Sequence, residues 1–251
     1  MSDILAPAPG PPVHIRGFVD VLTDRQDWPR VSEGETSGGT YMSERRRLPL
    51  PGGPITVDAV RLVAGDAGQT VLPGDEFVLV LSGDVRFEQS GGELHLGAGQ
   101  AGVVPRGRSL AWRCDQDGEL IVMRCLGGGG PTAQAPVRIE LEAPLAPSNP
   151  PLAEFLVGPT PQCRNHTDYR SGSGEFVCGV WDSTPYHRRL LTFRHYELMS
   201  LLEGSVTFVD ASGREGRFAA GDVVLLEQGG GCSWESQVHV KKIYSTFRPA
   251  E

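Results

Sequence analysis

Two acidic residues open apolar runs in this chain: Glu76 in Glu-Phe-Val-Leu-Val80 and Glu197 in Glu-Leu-Met-Ser-Leu201. A carboxylate carried into a pocket has a raised pKa unless a cation pairs with it. Unpaired, it suits general-base work or the orienting of a ligand. Held by turn amides, or by Lys241, Lys242 or Arg124, it is structural. His195 stands two residues before Glu197, so a regular strand aims both side chains to one side. Glu197 and His195 are therefore the candidate catalytic pair; the alternative leaves His195 on the preceding turn, facing solvent. Trp112 and Trp234 could stack on a ring or sugar, or fill the core, where Trp181 is also expected. Tyr186-His-Arg-Arg189 is basic and aromatic. We read it as a solvated loop, with recognition of a carboxylate by bidentate arginine as the alternative. His166 has no visible partner, and no P-loop, HExxH, GxSxG or CxxC pair occurs.

The elements that must position these residues are repeated. Glu76, Gly83, Gly99 and Trp112 are separated by 7, 16 and 13 residues; Glu197, Gly204, Gly221 and Trp234 by 7, 17 and 13. One unit thus occurs twice, at an offset of 121 with a single insertion. Residues 55–62 alternate as a half-buried strand should, residues 76–80 form a nearly continuous apolar strand, and Ser82-Gly83-Asp84 makes a hairpin turn. Strands follow over 85–88, 99–104 and 120–124, with Gly91-Gly92 as a further turn. Gly83 and its counterpart Gly204 allow the positive φ of a hairpin. Alternation then puts Glu76, Val78 and Val80 on one face, and Glu197, Met199 and Leu201 on the equivalent one. Strands at short intervals with glycine turns, and no long amphipathic helical pattern, indicate closed all-β units.

The chain has 251 residues and a formal charge of −8, an acidic balance that argues against nucleic acid as a partner. Arg45, Arg46 and Arg47 form one basic cluster, expected on a solvated loop. Thirty-three glycines and twenty prolines suit short strands and tight turns. No apolar run approaches the ~18 residues of a membrane span, and no signal peptide is visible. Five cysteines without paired spacing are expected as reduced thiols, which places the protein in the cytoplasm.

The motifs resemble those of the cupin superfamily. Glu76 to Gly83 and Glu197 to Gly204 match the end of the first cupin motif. Gly99-Gln-Ala-Gly-Val-Val-Pro105-Arg-Gly107 matches the second in full; Gly221 to Gly229 matches except that Glu227 replaces proline. Gly179-Val-Trp181, Tyr196-Glu197, Leu202-Glu203-Gly204, Ala220-Gly221-Asp222, Trp234-Glu235 and Lys242-Ile-Tyr244 make the second repeat similar to the EutQ-like small cupins. The two-repeat layout is similar to that of bicupins such as (S)-ureidoglycine aminohydrolase. The resemblance implies an all-β fold of two tandem double-stranded β-helix (jelly-roll, RmlC-like cupin) barrels. We place an N-terminal arm at 1–41 with one short strand over 14–19, barrel 1 at 42–126, a Pro/Gly-rich linker at 127–174 and barrel 2 at 175–251, with one strand over 137–141 and a helical turn over 152–156 inside the linker.

Metal-holding cupins carry two histidines upstream of the glutamate and a third after the second motif, a set suited to Mn, Fe, Ni or Zn. The corresponding residues here are Gln69 and Val71, or Leu190 and Thr192, and then Leu110 or Cys232. A shift of one residue gives Thr70 and Leu72, or Leu191 and Phe193. No metal is expected in barrel 1. In barrel 2, Glu197, His195 and Cys232 are the alternative metal set, against Cys232 as a small buried filler. The expected function is binding of a small polar metabolite in a barrel mouth without a complete metal site or other cofactor, with Trp234, Glu76 and Trp112 touching the ligand. The alternatives are a divalent-metal bicupin enzyme acting on a ureide or another small metabolite, and a non-catalytic accessory subunit. Expected partners are a small-molecule ligand and a second copy in a homodimer, with neither nucleic acid nor membrane.

Overall fold

A computed structural model describes residues 14–31, 41–42, 44–127 and 135–250. The Pro/Gly-rich opening and the glycine run after Gly127 lie largely outside the described residues. The strands, in chain order, are β1 (Val19–Asp20), β2 (Arg45–Arg47), β3 (Ile55–Leu62), β4 (Ala67–Val71), β5 (Asp75–Ser82), β6 (Asp84–Gln89), β7 (Gly92–Gly97), β8 (Ala101–Val104), β9 (Ser109–Arg113), β10 (Gly118–Cys125) and β11 (Val137–Arg138). There follow β12 (Ala146–Ser148), β13 (Cys163–Arg170), β14 (Phe176–Ser183), β15 (Tyr186–Thr192), β16 (Tyr196–Glu203), β17 (Ser205–Val209), β18 (Glu215–Ala219), β19 (Val223–Leu226), β20 (Gly231–Ser236) and β21 (Val240–Phe247). Among the described residues helix is limited to short turns such as Val21–Asp24 and Ala153–Phe155, and none is long and apolar enough to cross a membrane.

These strands build two jelly rolls. Barrel 1 closes a six-stranded sheet, β11-β8-β5-β10-β3-β2, over a four-stranded one, β4-β9-β6-β7. Barrel 2 closes β1-β19-β16-β21-β14-β13-β12 over β15-β20-β17-β18. The tandem all-β cupin architecture expected from the motifs is the one observed. Gly83 and Gly204 hold φ of +73° and +77°, where added Cβ atoms would strike the carbonyl oxygens of Asp117 and His239.

Period-two alternation sorts the side chains of each large sheet. On β5, Val78 and Val80 enter the barrel 1 interior, while Phe77 and Leu79 face outward. On β16, Met199 and Leu201 enter barrel 2, while Tyr196 and Leu198 face outward. The outward faces do not meet water. Phe77, Leu79, Ile121 and Met123 of barrel 1 share one apolar core with Val180, Leu198, Ile243 and Phe247 of barrel 2. The two barrels are thus fastened through their large sheets.

Two short strands complete the outer edges of the large sheets, and one of them crosses to the other half. β1, which precedes barrel 1, pairs with β19 of barrel 2 through Val19↔Leu225. β11, which follows barrel 1, pairs with β8 of barrel 1 through Val137↔Val103. β8 and β19 are equivalent edges, so each barrel is completed by the segment that leads into the other. The arm is held by the residue that replaces proline in the second motif: Glu227 is fully buried and accepts from Arg16 Nε at 2.6 Å and from its main-chain N–H at 3.0 Å.

Three expectations need correction. The expected linker through residue 174 contains β13, which pairs along its length with β14 and belongs to the large sheet of barrel 2. The arm strand expected over 14–19 is reduced to Val19–Asp20. The Arg45–Arg47 cluster is not a solvated loop: it is β2, with Arg45 buried and both Arg45 and Arg47 on Asp58 at 2.8 Å.

Candidate functional site

The mouth of barrel 2 is built by alternation on four strands. β16 brings Glu197 inward; β21 brings Lys242, Tyr244 and Thr246; β14 brings Trp181; β15 brings Tyr186 and Arg188. Lys242 Nζ donates to Glu197 Oε1 at 2.9 Å, with its ammonium 4.7 Å from the Trp181 ring centroid and 5.1 Å from that of Trp234. His195 Nε2 lies 3.5 Å from Glu197 Oε2. His195 is on the bend before β16, as read from the sequence, but its side chain is 17% exposed and turned to the carboxylate rather than to solvent. Burial pushes the Glu197 carboxyl up, but the Lys242 ammonium and His195 outweigh it and hold the group well below the usual carboxylate range.

These side chains border a cavity of about 540 Å³ that opens to the surface. The Tyr186 ring stacks on Trp234 at 5.5 Å and 9°, and Trp181 meets Trp234 edge-on. Leu191, Phe193 and Leu226 complete the apolar wall; Arg170, Glu175 and Arg248 lie on the exposed side. The cluster read as a solvated loop, Tyr186 to Arg189, is therefore corrected: it is part of β15, and two of its members line the cavity.

Barrel 1 carries the same framework with a closed interior. Glu76 is fully buried; it accepts from Tyr41 Oη at 2.7 Å and Arg124 Nε at 2.6 Å, and Arg45 Nη2 stands 3.7 Å away. Trp112, 4% exposed, packs edge-on against Tyr41. Glu76 and Trp112, expected in a ligand-binding mouth, are instead members of a filled core and its buried ion cluster. The strand registers show why. Glu76 stands opposite Arg124, whereas Glu197 stands opposite Thr246. The Trp181↔Lys242 pair of barrel 2 is matched by Val60↔Leu120, and Arg188↔Trp234 by Gly68↔Trp112. The polar and cationic lining of barrel 2 thus has small or aliphatic counterparts in barrel 1, where Arg124, Tyr41 and Met42 take up the room.

Cys232 is fully buried in the core of barrel 2, where burial pushes its thiol up to about 12. A metal ligand would have to be thiolate. Both oxygens of Glu197 already face nitrogens, one of them the Lys242 ammonium. Glu197, His195 and Cys232 therefore do not fit a divalent ion as they stand. Among the described residues no group of three or more His, Cys, Asp or Glu side chains could hold one. The pairing of each glutamate with a nearby cation was foreseeable from the sequence. The position of Arg188 inside the barrel was not, because β15 carries an irregularity between Arg188 and Leu191 that alternation alone does not reveal.

The comparisons with known proteins agree with this architecture. Residues 170–244 match the EutQ-like cupin domain family. A solved protein of unknown function of the DUF861 family from Pseudomonas syringae pv. tomato is 27% identical, with a TM-score of 0.76 over 81% of this chain and 86% of that one. A cupin 2 conserved barrel domain protein from Leptotrichia buccalis (8% identical, TM-score 0.55, 94% of this chain and 98% of that one) shares the fold. So does salicylate 1,2-dioxygenase from Pseudaminobacter salicylatoxidans (11% identical, TM-score 0.53, 91% and 82%). No curated protein matches significantly. The chain carries the cupin fold twice, and its second barrel is EutQ-like.

Proposed function

We propose that the chain binds a small polar metabolite in the mouth of barrel 2 without a transition metal, while barrel 1 is a closed support. The observation that carries this is the contrast between the halves: equivalent positions are packed shut around Glu76 and left open beside Glu197. A cavity of this size, with aromatic walls and a few convergent polar groups, is what small-ligand sites generally offer. The five cysteines are free and buried, which fits a reducing compartment such as the cytoplasm.

Thermal shift against a metabolite library, read together with tryptophan fluorescence, tests the proposal. Ligands of this site should raise the melting temperature of the full chain and perturb Trp181 and Trp234, since binding to the native state alone stabilises it. Glu197→Gln should lose that response, and Trp112→Phe should keep it. A library that leaves the Trp234 environment unchanged overturns the reading.

A second reading, catalysis in the same cavity, is favoured by the approach of His195 to Glu197. In that case His195, with Glu197 holding its ring, would move the proton. Turnover lost in His195→Gln with ligand affinity retained would select it over binding alone. About one equivalent of transition metal in untagged protein would select the metal-dependent alternative instead.

A further inference from the structure

Of the buried arginines, Arg45 meets Asp58 at 2.8 Å and Arg124 meets Glu76 at 2.6 Å. Arg188 is different. It is 6% exposed and lines the barrel 2 cavity, yet no carboxylate pairs with it among the described residues. Its Nη1 donates to the main-chain carbonyls of Arg189 and Cys232, both at 3.2 Å. Those bonds satisfy donors without neutralising charge. Its titratable neighbours supply no counter-charge either: burial holds the Tyr186 hydroxyl well above its ordinary range and the Cys232 thiol at about 12, so both stay protonated. The carboxylate of Glu197 is engaged by Lys242 and His195. A buried cation without a counterion is costly. A guanidinium fork is shaped to receive a carboxylate through two parallel bonds.

We infer that Arg188 is the anchor for the ligand's carboxylate, and that barrel 2 therefore selects small carboxylates whose planar, apolar body lies against Tyr186 and Trp234. This rests on the binding reading proposed above and gives it a chemical class. Leu191 and Phe193 complete an apolar slot beside the guanidinium, and the Arg188 guanidinium carbon lies 5.7 Å from the Phe193 ring centroid. In barrel 1 the residue at this register is Gly68, so the anchor belongs to one half alone.

Benzoate and benzamide, which share size and shape and differ in charge, make the test. The full chain is titrated with each by calorimetry and by tryptophan fluorescence. Benzoate should bind at least about tenfold more tightly, a difference of roughly 1.4 kcal/mol. Arg188→Met should abolish that preference while leaving benzamide affinity within about twofold, and Arg188→Lys should retain part of it. The unliganded Met variant should melt no lower than the parent, since an uncompensated buried charge has been removed; should it fail to fold, Arg188→Gln takes its place. Equal binding of the two probes, no binding of benzoate, or a preference that survives loss of the guanidinium overturns the inference. Neutral library compounds that perturb Trp234 while benzoate does not would leave the cavity proposal standing and remove the anchor. If no small molecule of any charge reaches Trp234, both fall.

Discussion

Glu197 and Lys242 form a pair whose members depend on one another. Both are largely buried, so breaking the pair exposes an uncompensated charge to a poor solvent. We expect Glu197→Gln to lower stability by about 2–3 kcal/mol at neutral pH, measurable by urea unfolding. The sign of the pH dependence follows from the depressed carboxyl. Its stabilisation is complete above the unfolded carboxylate range, near pH 4.3, and is lost as pH falls below it. Parent and variant should therefore converge in stability in acid. At this scale the sequence was informative about identity and less so about setting. Strand pairing sets Arg124 opposite Glu76, whereas Lys242 stands opposite Leu201 and reaches Glu197 along the inward face of β21. That Glu76 would be sealed by Tyr41 does not follow from pairing, because Tyr41 reaches it from the arm, far from either motif.

Hairpin geometry decides the elements. Gly204 has a φ of +77°, and a Cβ there would lie 2.0 Å from the His239 carbonyl oxygen. Gly204→Ala should cost about 3 kcal/mol or more, and Gly83→Ala a similar amount, each read as a fall in the denaturation midpoint. The arm is a separate case. Glu227→Ala removes the carboxylate that accepts from Arg16, so the amides of β1 should exchange with solvent faster while the barrel cores remain protected. The glycines were readable because a positive φ leaves a fixed mark on residue type and spacing. β13 was not readable: Cys-Arg-Asn-His-Thr-Asp-Tyr-Arg has no run of apolar residues, and only two of its eight residues are buried. Its place in the sheet comes from pairing with β14 rather than from its own pattern.

For the molecule as a whole, one apolar core belongs to both barrels, and each large sheet is extended by a strand from the neighbouring segment. The full chain should therefore unfold in a single transition, with calorimetric and van't Hoff enthalpies equal. A fragment beginning at residue 135 would lack β1 and expose Leu198, Ile243 and Phe247, and should aggregate or remain unfolded by light scattering and circular dichroism. The duplication itself was legible, because motif spacing survives divergence. The partners of β1 and β11 were not, since a two-residue strand carries no periodicity that names the edge it joins.

The shared core and the crossing of β1 change what each half is free to become. A lone half would have to recruit a second copy from dilute solution before its outermost ladder and apolar back were covered. Tethered, the two meet at a local concentration on the order of millimolar, whatever the abundance of the protein. Mutual dependence that would force identical partners to stay alike is thereby relaxed. One can turn its lumen into ballast, as around Glu76, while its twin keeps a hollow beside Arg188.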